Sequence, residues 1–255
     1  MEFSGRVAGR VARKLQDRRG REAALYTRLV DVEVWWARPG QQLPEHLDLL
    51  VATERERRSA LRQPADQARF TVATALVRLA AGRRLGLPAH RVPIDRTCPD
   101  CGRPHGRPRL PGHDLAVSIS HSADRVLVAL AGAPVGVDVE EISDRVDPAE
   151  LAGQVLAAGE RAATRPEFFC YWTRKEAVVK ATGDGLRMAL TEVAVTAPGT
   201  PPRLLRYGER RDLVASLADL DAGTGYAAAV AVLAAGPLRV SSHDATGLLA
   251  AATPG

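Results

Sequence analysis

The sequence predicts an α+β fold of two similar halves, each a small antiparallel sheet packed with helices. Three observations lead there. Short segments with apolar residues at every second position recur on both sides of mid-chain, as half-buried strands require. Segments with helical apolar spacing are interleaved with them rather than gathered at one end. A Gly132–Pro134 break separates the two sets. The halves are therefore read as 30–131 and 132–236, flanked by a basic N-terminal extension, 1–29, and a C-terminal tail, 237–255.

Residues 1–29 are Arg-rich, with Val7, Val11 and Leu15 at roughly helical spacing. The stripe is too thin for a core helix and reads as a peripheral or frayed segment. Asp31-Val32-Glu33-Val34-Trp35-Trp36-Ala37 alternates like a strand, and Pro39-Gly40 closes it. Two helical patterns follow. Leu47–Leu61 has a charged face from Glu54 to Arg58, and Asp66–Leu85 places Phe70, Ala73, Leu76, Leu79 and Ala80 on its apolar side before Gly86. Leu115–Ser122 and Arg125–Leu130 read as a hairpin joined by a polar turn. Beyond the break, Gly136–Glu141 is a strand with Val137 and Val139 on one face and Asp138 and Glu140 on the other. A helix is expected near Pro148–Ala163, and a central helix through Tyr171–Lys180, stopped by Gly183-Asp184-Gly185. Strands are expected at Glu192–Thr196 and Tyr226–Leu233, and Ala250–Gly255 reads as a loose end.

Composition narrows the function classes. Hydrophobic residues at 45% and charged residues at 25% are ordinary for a globular chain. No apolar run approaches the roughly 18–20 residues of a membrane span, and no signal-peptide core follows the N-terminus. Three cysteines do not make a disulfide framework, so a reducing, cytoplasmic setting is expected. A net charge of +5 points to an anionic partner: nucleic acid, a phosphorylated cofactor or an acidic protein. Aromatic content of 4% leaves few platforms for stacking bases, which weighs against nucleic acid.

The chemistry concentrates in the central helix. Trp172, Glu176 and Lys180 fall in one row at i, i+4 and i+8. Lys occurs only at 14, 175 and 180, in a chain whose other basic residues are all Arg. Arg is a rigid, permanent fork and Lys a compact point charge, so this clustering favours a specific need for ammonium groups. If the Asp138 strand faces this helix, Asp138, Glu140 and Glu176 converge. Such an all-oxygen set suits a hard cation, above all Mg²⁺ holding phosphate. Singly, each residue has a plain structural reading: a solvent-facing strand edge, a solvated Glu–Lys pair, a core Trp. The joint pattern carries the inference. Arg57, Arg62 and Arg69 are candidates to reach an anionic ligand, though any one reads equally well as surface arginine.

Cys98-Pro99-Asp100-Cys101 with His105 offers three zinc ligands, and His113 is a candidate fourth. Structural zinc sites normally show two regular halves. The second half is irregular here, so the sequence favours a pair of thiols beside a tight turn. Cys170, beside Phe168 and Phe169, reads as a core residue.

Ser120-His121-Ser122, Gly136-Val137-Asp138-Val139-Glu140 and Trp172-x-x-Lys175-Glu176-Ala177-x-x-Lys180, in that order and spacing, resemble the long, surfactin-synthetase-activating type of 4′-phosphopantetheinyl transferase. The resemblance runs from about residue 31 to 235, and Gly106-Arg107-Pro108 matches a Gly-Lys-Pro step of that family with Arg in place of Lys. It implies a pseudo-twofold monomer with coenzyme A in the cleft between the halves. It implies transfer of the phosphopantetheine arm to a serine of an apo acyl or peptidyl carrier protein for polyketide or nonribosomal peptide synthesis, releasing adenosine 3′,5′-bisphosphate. By that resemblance Asp138, Glu140 and Glu176 hold Mg²⁺, or Mn²⁺ in its place. Glu176 activates the serine hydroxyl, and Lys180 neutralises charge on the pyrophosphate. Ser120, His121 and Arg107 match positions that bind the cofactor's phosphates, Arg69 with Arg57 or Arg62 are looser matches, and Lys175 and Lys180 are further candidates for cofactor binding. Two rivals fit the same residues: a catalytically silent scaffold for coenzyme A and carrier proteins, and a metal-dependent phosphohydrolase.

Overall fold

The computed structural model describes residues 29–251. The expected N-terminal extension, apart from Leu29, and the last four residues of the expected tail lie outside the described residues.

Two sheets stack face to face, and each carries one long helix on its outer side. The first sheet has strand order β2-β3-β1-β9, built from β1 (Val30–Ala37), β2 (Ala116–Ser122), β3 (Arg125–Ala131) and β9 (Leu238–Asp244). The second has order β4-β8-β7, from β4 (Val135–Glu141), β7 (Ser216–Asp219) and β8 (Tyr226–Val232). A separate hairpin joins β5 (Val193–Val195) to β6 (Leu204–Tyr207). The helices are α1 (Ala52–Ser59), α2 (Pro64–Leu85), α3 (Pro148–Val155), α4 (Arg165–Thr182) and α5 (Thr246–Ala250).

The period-two pattern of each strand sorts its residues into layers. Val32, Val34, Leu127 and Ala129 from the first sheet meet Val137, Val139, Val230 and Val232 from the second, all buried. On the outer face of the first sheet Trp35, Val117, Val126 and Val128 pack against Val72, Leu76 and Ala80 of α2. On the outer face of the second, Ala229 and Ala231 pack against Tyr171, Val178 and Ala181 of α4. Burial of these three layers drives the fold at roughly 25 cal/mol per Å² of apolar surface removed from water.

Local chemistry fixes the ends of α4. Thr164 accepts a hydrogen bond from the Glu167 N–H at 3.3 Å while the Glu167 carboxylate caps the Thr164 and Ala163 N–H groups. At the other end Gly183 takes φ +79°, a left-handed turn that costs glycine little, and ends the helix.

The halves meet along two edge strands, β2 and β4. β4 is hydrogen-bonded to β8 on one side, so alternate N–H groups on its other side need partners. Serines at every second position of β2 supply them. Ser118 Oγ accepts from Val137 N at 3.1 Å, Ser120 Oγ from Val139 N at 3.3 Å, and Ser122 Oγ from Glu141 N at 3.0 Å.

Four features depart from expectation. The helix expected over Leu47–Leu61 forms only from Ala52 to Ser59. The helix expected to reach Ala163 stops at Val155, where Leu156 turns extended. The short strands β6 and β7 carry too little alternation to be read from sequence. The stretch 237–255, expected as a tail, instead carries β9 and α5. β9 pairs parallel with β1, the one parallel pairing among the described residues, and Leu249 of α5 is buried in the α2 layer.

Candidate active site

A cavity of about 370 Å³ opens where β2, β4 and α4 converge, bounded on the far side by α1, α2 and the loop after α2. β4 contributes Asp138 and Glu140 to its wall, α4 contributes Trp172, Glu176 and Lys180, and β2 contributes Ser120 and His121. Arg57, Phe70, Thr74 and Arg96 close the side belonging to the first half.

The close approach of α4 to β4 depends on Gly136. A Cβ there would lie 2.0 Å from the Ala177 carbonyl oxygen and 2.4 Å from the Ala181 nitrogen. Glu176 and Lys180 each precede one of those contact residues, so the contact that only glycine permits also sets their height over Asp138.

Asp138 is 2% exposed. Its Oδ1 accepts from Lys180 Nζ at 2.6 Å and from Ser120 Oγ at 2.8 Å, and Lys180 Nζ also lies 3.0 Å from Ser120 Oγ. Its Oδ2 is buried with no hydrogen-bond partner in the protein, a costly condition for a carboxylate oxygen. Glu140 accepts from Ser122 Oγ at 3.0 Å. Burial, and then the neighbouring Asp138 charge, push its pKa up to about 7. Burial followed by Asp138 also raises the pKa of Glu176, against the opposing pull of Lys180. The His121 pKa is lowered by burial first, then by the charges of Arg69 and Lys180. Three acids thus face one ammonium group. Among the described residues the three carboxylates do not all bring an oxygen within 4.8 Å of one another, so they line one wall without forming a closed ligand set. The all-oxygen chemistry and the orphaned Asp138 Oδ2 are what fit a divalent hard cation there.

The other sequence-derived residues sort clearly. Of the two alternatives on the first half, Arg57 lines the cavity with its guanidinium 5.6 Å from the Phe70 ring centre, whereas Arg62 is exposed in the turn between α1 and α2 and lies off the cavity. Arg69 is engaged beside His121, donating to the Ala123 carbonyl at 2.8 Å and pairing with Asp66. That carbonyl belongs to the β2–β3 turn, where Ala123 adopts φ +45°. Arg107 crosses to the second half and donates to the Ala181 carbonyl at 2.7 Å, while its Nε is buried without a partner.

Lys175 is a correction. Its side chain is fully buried, paired with Glu160 and donating to the Val155 carbonyl at 2.6 Å and the Leu190 carbonyl at 3.1 Å. One residue along a helix is a turn of about 100°, so Lys175 points away from the wall that Glu176 lines. Arg96 is the residue the sequence did not single out. It lies in an irregular loop without a motif, and burial, then Arg57, lowers its pKa to about 10, leaving it charged at neutral pH. Cys98, Cys101 and His105 sit off the cavity but close together, and His113 is not among them.

The family described as the 4′-phosphopantetheinyl transferase superfamily matches residues 134–231, the span from the start of β4 through most of β8. The 4′-phosphopantetheinyl transferase HetI of Nostoc sp. is 31% identical over 176 residues, 65% of this chain and 73% of that protein. The 4′-phosphopantetheinyl transferase of Bacillus subtilis is 28% identical over 157 residues, 58% of this chain and 67% of that protein. The 4′-phosphopantetheinyl transferase AcpT of Salmonella typhi is 38% identical over 96 residues, 34% of this chain and half of that protein.

Proposed function

The chain belongs to the 4′-phosphopantetheinyl transferase superfamily, and from that premise we propose that its inter-half cavity moves the phosphopantetheine arm of coenzyme A onto a serine of an apo acyl or peptidyl carrier protein. The observation that carries the reading is the shared wall of Asp138, Glu140, Glu176 and Lys180.

Phosphoryl transfer needs positioning and charge neutralisation more than covalent help from the protein. The serine Oγ forms a bond to the pantetheine-bearing phosphorus. The bond from that phosphorus to the bridging pyrophosphate oxygen breaks, and adenosine 3′,5′-bisphosphate leaves with the electron pair. Glu176, facing the cavity from α4, takes the serine proton. Lys180, already directed at Asp138 and Ser120, is placed to balance negative charge growing on the departing phosphate. Arg57 and Arg96 supply fixed positive charge where the first half meets the cavity. Asp138, Glu140 and Glu176 would hold Mg²⁺ or Mn²⁺, which when bound neutralises the pyrophosphate and polarises its P–O bonds. The overall charge of +5 suits an acidic carrier protein as partner. Among the described residues no helix is long and apolar enough to cross a membrane.

The test is incubation with coenzyme A, Mg²⁺ and several apo carrier proteins, followed by intact mass spectrometry. A carrier gaining one phosphopantetheine arm supports the reading. No gain on any carrier that a known transferase loads would favour the scaffold. Inorganic phosphate released without carrier modification would favour the hydrolase.

A further inference from the structure

No residue of the loop from Cys98 to His105 lines the cavity, although its Pro104 carbonyl accepts from Arg57 Nη1 at 3.3 Å, and the loop is highly organised. Among the described residues, Cys98, Cys101 and His105 form a group whose ligand atoms all lie within 4.8 Å of one another. A tetrahedral zinc site with bonds of about 2.3 Å to sulfur and about 2.0 Å to nitrogen spaces neighbouring ligand atoms by about 3.3–3.8 Å. Small side-chain rotations therefore suffice to close the group on an ion. Cys101 Sγ and His105 Nε2 are already hydrogen-bonded at 2.9 Å, where an ion would take the place of the shared proton.

The backbone builds the arrangement before the side chains do. Cys98 O accepts from Gly102 N at 2.9 Å, and Gly102 takes φ +68°, which closes the Cys98–Cys101 turn. Pro99 fixes φ inside that turn. Cys98 N and His105 N both donate to the Arg103 carbonyl at 2.9 Å, drawing the histidine back over the thiols. The segment leaving the loop then runs antiparallel against the segment entering it, with Asp95 opposite Arg109. Gly106 N donates to the Arg96 carbonyl at 2.7 Å, and a Cβ on Gly106 would lie 2.8 Å from the Thr97 oxygen. Arg103 Nε also donates to Cys101 Sγ at 3.5 Å.

We propose that Cys98, Cys101 and His105 bind a structural zinc ion, with a water completing the set. The sequence alone weighed against zinc because no second half of regular spacing follows. The structure shows a single compact turn that gathers two thiols and an imidazole without one. The ion would hold the segment between Arg96 and Arg107 in one shape. That segment reaches the second half, where Asp100 pairs with Arg187 at 2.5 Å and Arg107 with the Ala181 carbonyl.

The proposal stands apart from the transferase reading and is tested by metal content. Protein made without a polyhistidine tag and passed over chelating resin should carry about one zinc per chain, falling to background in Cys98→Ser/Cys101→Ser. Cobalt exchanged into the wild-type chain should give thiolate charge-transfer absorption and the visible bands of a tetrahedral ion. These spectra decide the question even if the double variant fails to fold. Wild-type protein that binds neither metal, with its thiols free or joined as a disulfide, would overturn the proposal, as would zinc retained in the double variant.

Discussion

Lys180 Nζ lies 2.6 Å from Asp138 Oδ1, so the one ammonium group of the cavity is bound to a carboxylate that is 2% exposed. The two residues come from opposite layers, α4 and β4, and the contact joins helix to sheet as well as charge to charge. Lys180→Ala should therefore lower both turnover and stability. The Lys180 side chain is 31% exposed, so the loss should be about 2 kcal/mol, below the ~3–5 kcal/mol of breaking a wholly buried pair. Added Mg²⁺ should restore part of the stability by giving Asp138 another cation, while transfer stays low. Urea unfolding with and without Mg²⁺, beside the carrier assay, separates the two effects. Recovery of turnover in step with stability would reduce Lys180 to a structural role.

Glu176→Gln is expected to behave in the opposite way. Removing a general base lowers rates by about 10²–10⁴. Yet burial and the nearby Asp138 raise the Glu176 pKa, which means the fold disfavours its charged form. A neutral amide of the same shape should leave the metal-free melting temperature unchanged or slightly higher. A clear drop in melting temperature, or near wild-type transfer, would remove Glu176 as base.

The legibility of this chain in its sequence has a physical pattern. Asp138, Glu140, Glu176 and Lys180 could be placed because strand and helix periods put side chains on known faces, and the sheet-on-helix packing honoured those faces. Lys175 entered with the motif and the lysine cluster rather than by period, and neighbours in sequence are not neighbours on a helix surface. Arg96 and the choice between Arg57 and Arg62 were illegible because they sit in or beside irregular loops, where no period fixes direction. The serines of β2 read as a polar strand end, whereas their task, capping the free N–H groups of β4, depends on a tertiary contact. β9 was hidden because Ser241, Ser242 and His243 lack an apolar alternation, and parallel pairing with β1 supplies the stability that its side chains do not advertise.

Metal binding should depend on pH through Glu140. Its folded pKa, about 7, is above its ordinary value of 4.5, so between those values the folded state binds more protons than the unfolded state. Its contribution to metal-free stability should therefore fall as pH rises through that window and level off above it. A divalent ion competes with the same proton, so its affinity should climb by at most ~tenfold per pH unit up to neutrality and then flatten. Calorimetric titration of Mg²⁺ across that range checks this. Glu140→Gln should weaken binding and remove that part of the slope, and an unchanged slope would show that another group sets it.

The two arginines of the first half offer a matched pair. Arg57 lines the cavity and Arg62 does not. Arg57→Ala should weaken coenzyme A binding about tenfold, the scale of one charge-assisted contact at ~1.5 kcal/mol. Arg62→Ala should leave it unchanged. Equilibrium binding of coenzyme A to each variant decides, and an equal loss in both would mean that the arginines act only through bulk charge.

Gly136→Ala reaches the site without touching a single catalytic group. The added methyl would meet the Ala177 oxygen at 2.0 Å and the Ala181 nitrogen at 2.4 Å, and both are helix backbone that no rotamer change can clear. α4 must move off β4, at a cost of about 3 kcal/mol for overpacking. The displaced helix carries Glu176 and Lys180 away from Asp138, so Mg²⁺ affinity and transfer should both collapse while far-ultraviolet circular dichroism stays close to wild type. Gly132→Ala is the control, since a Cβ there meets nothing within 4 Å. Retained Mg²⁺ affinity in Gly136→Ala would mean that the spacing between helix and strand does not set the geometry of the acidic cluster.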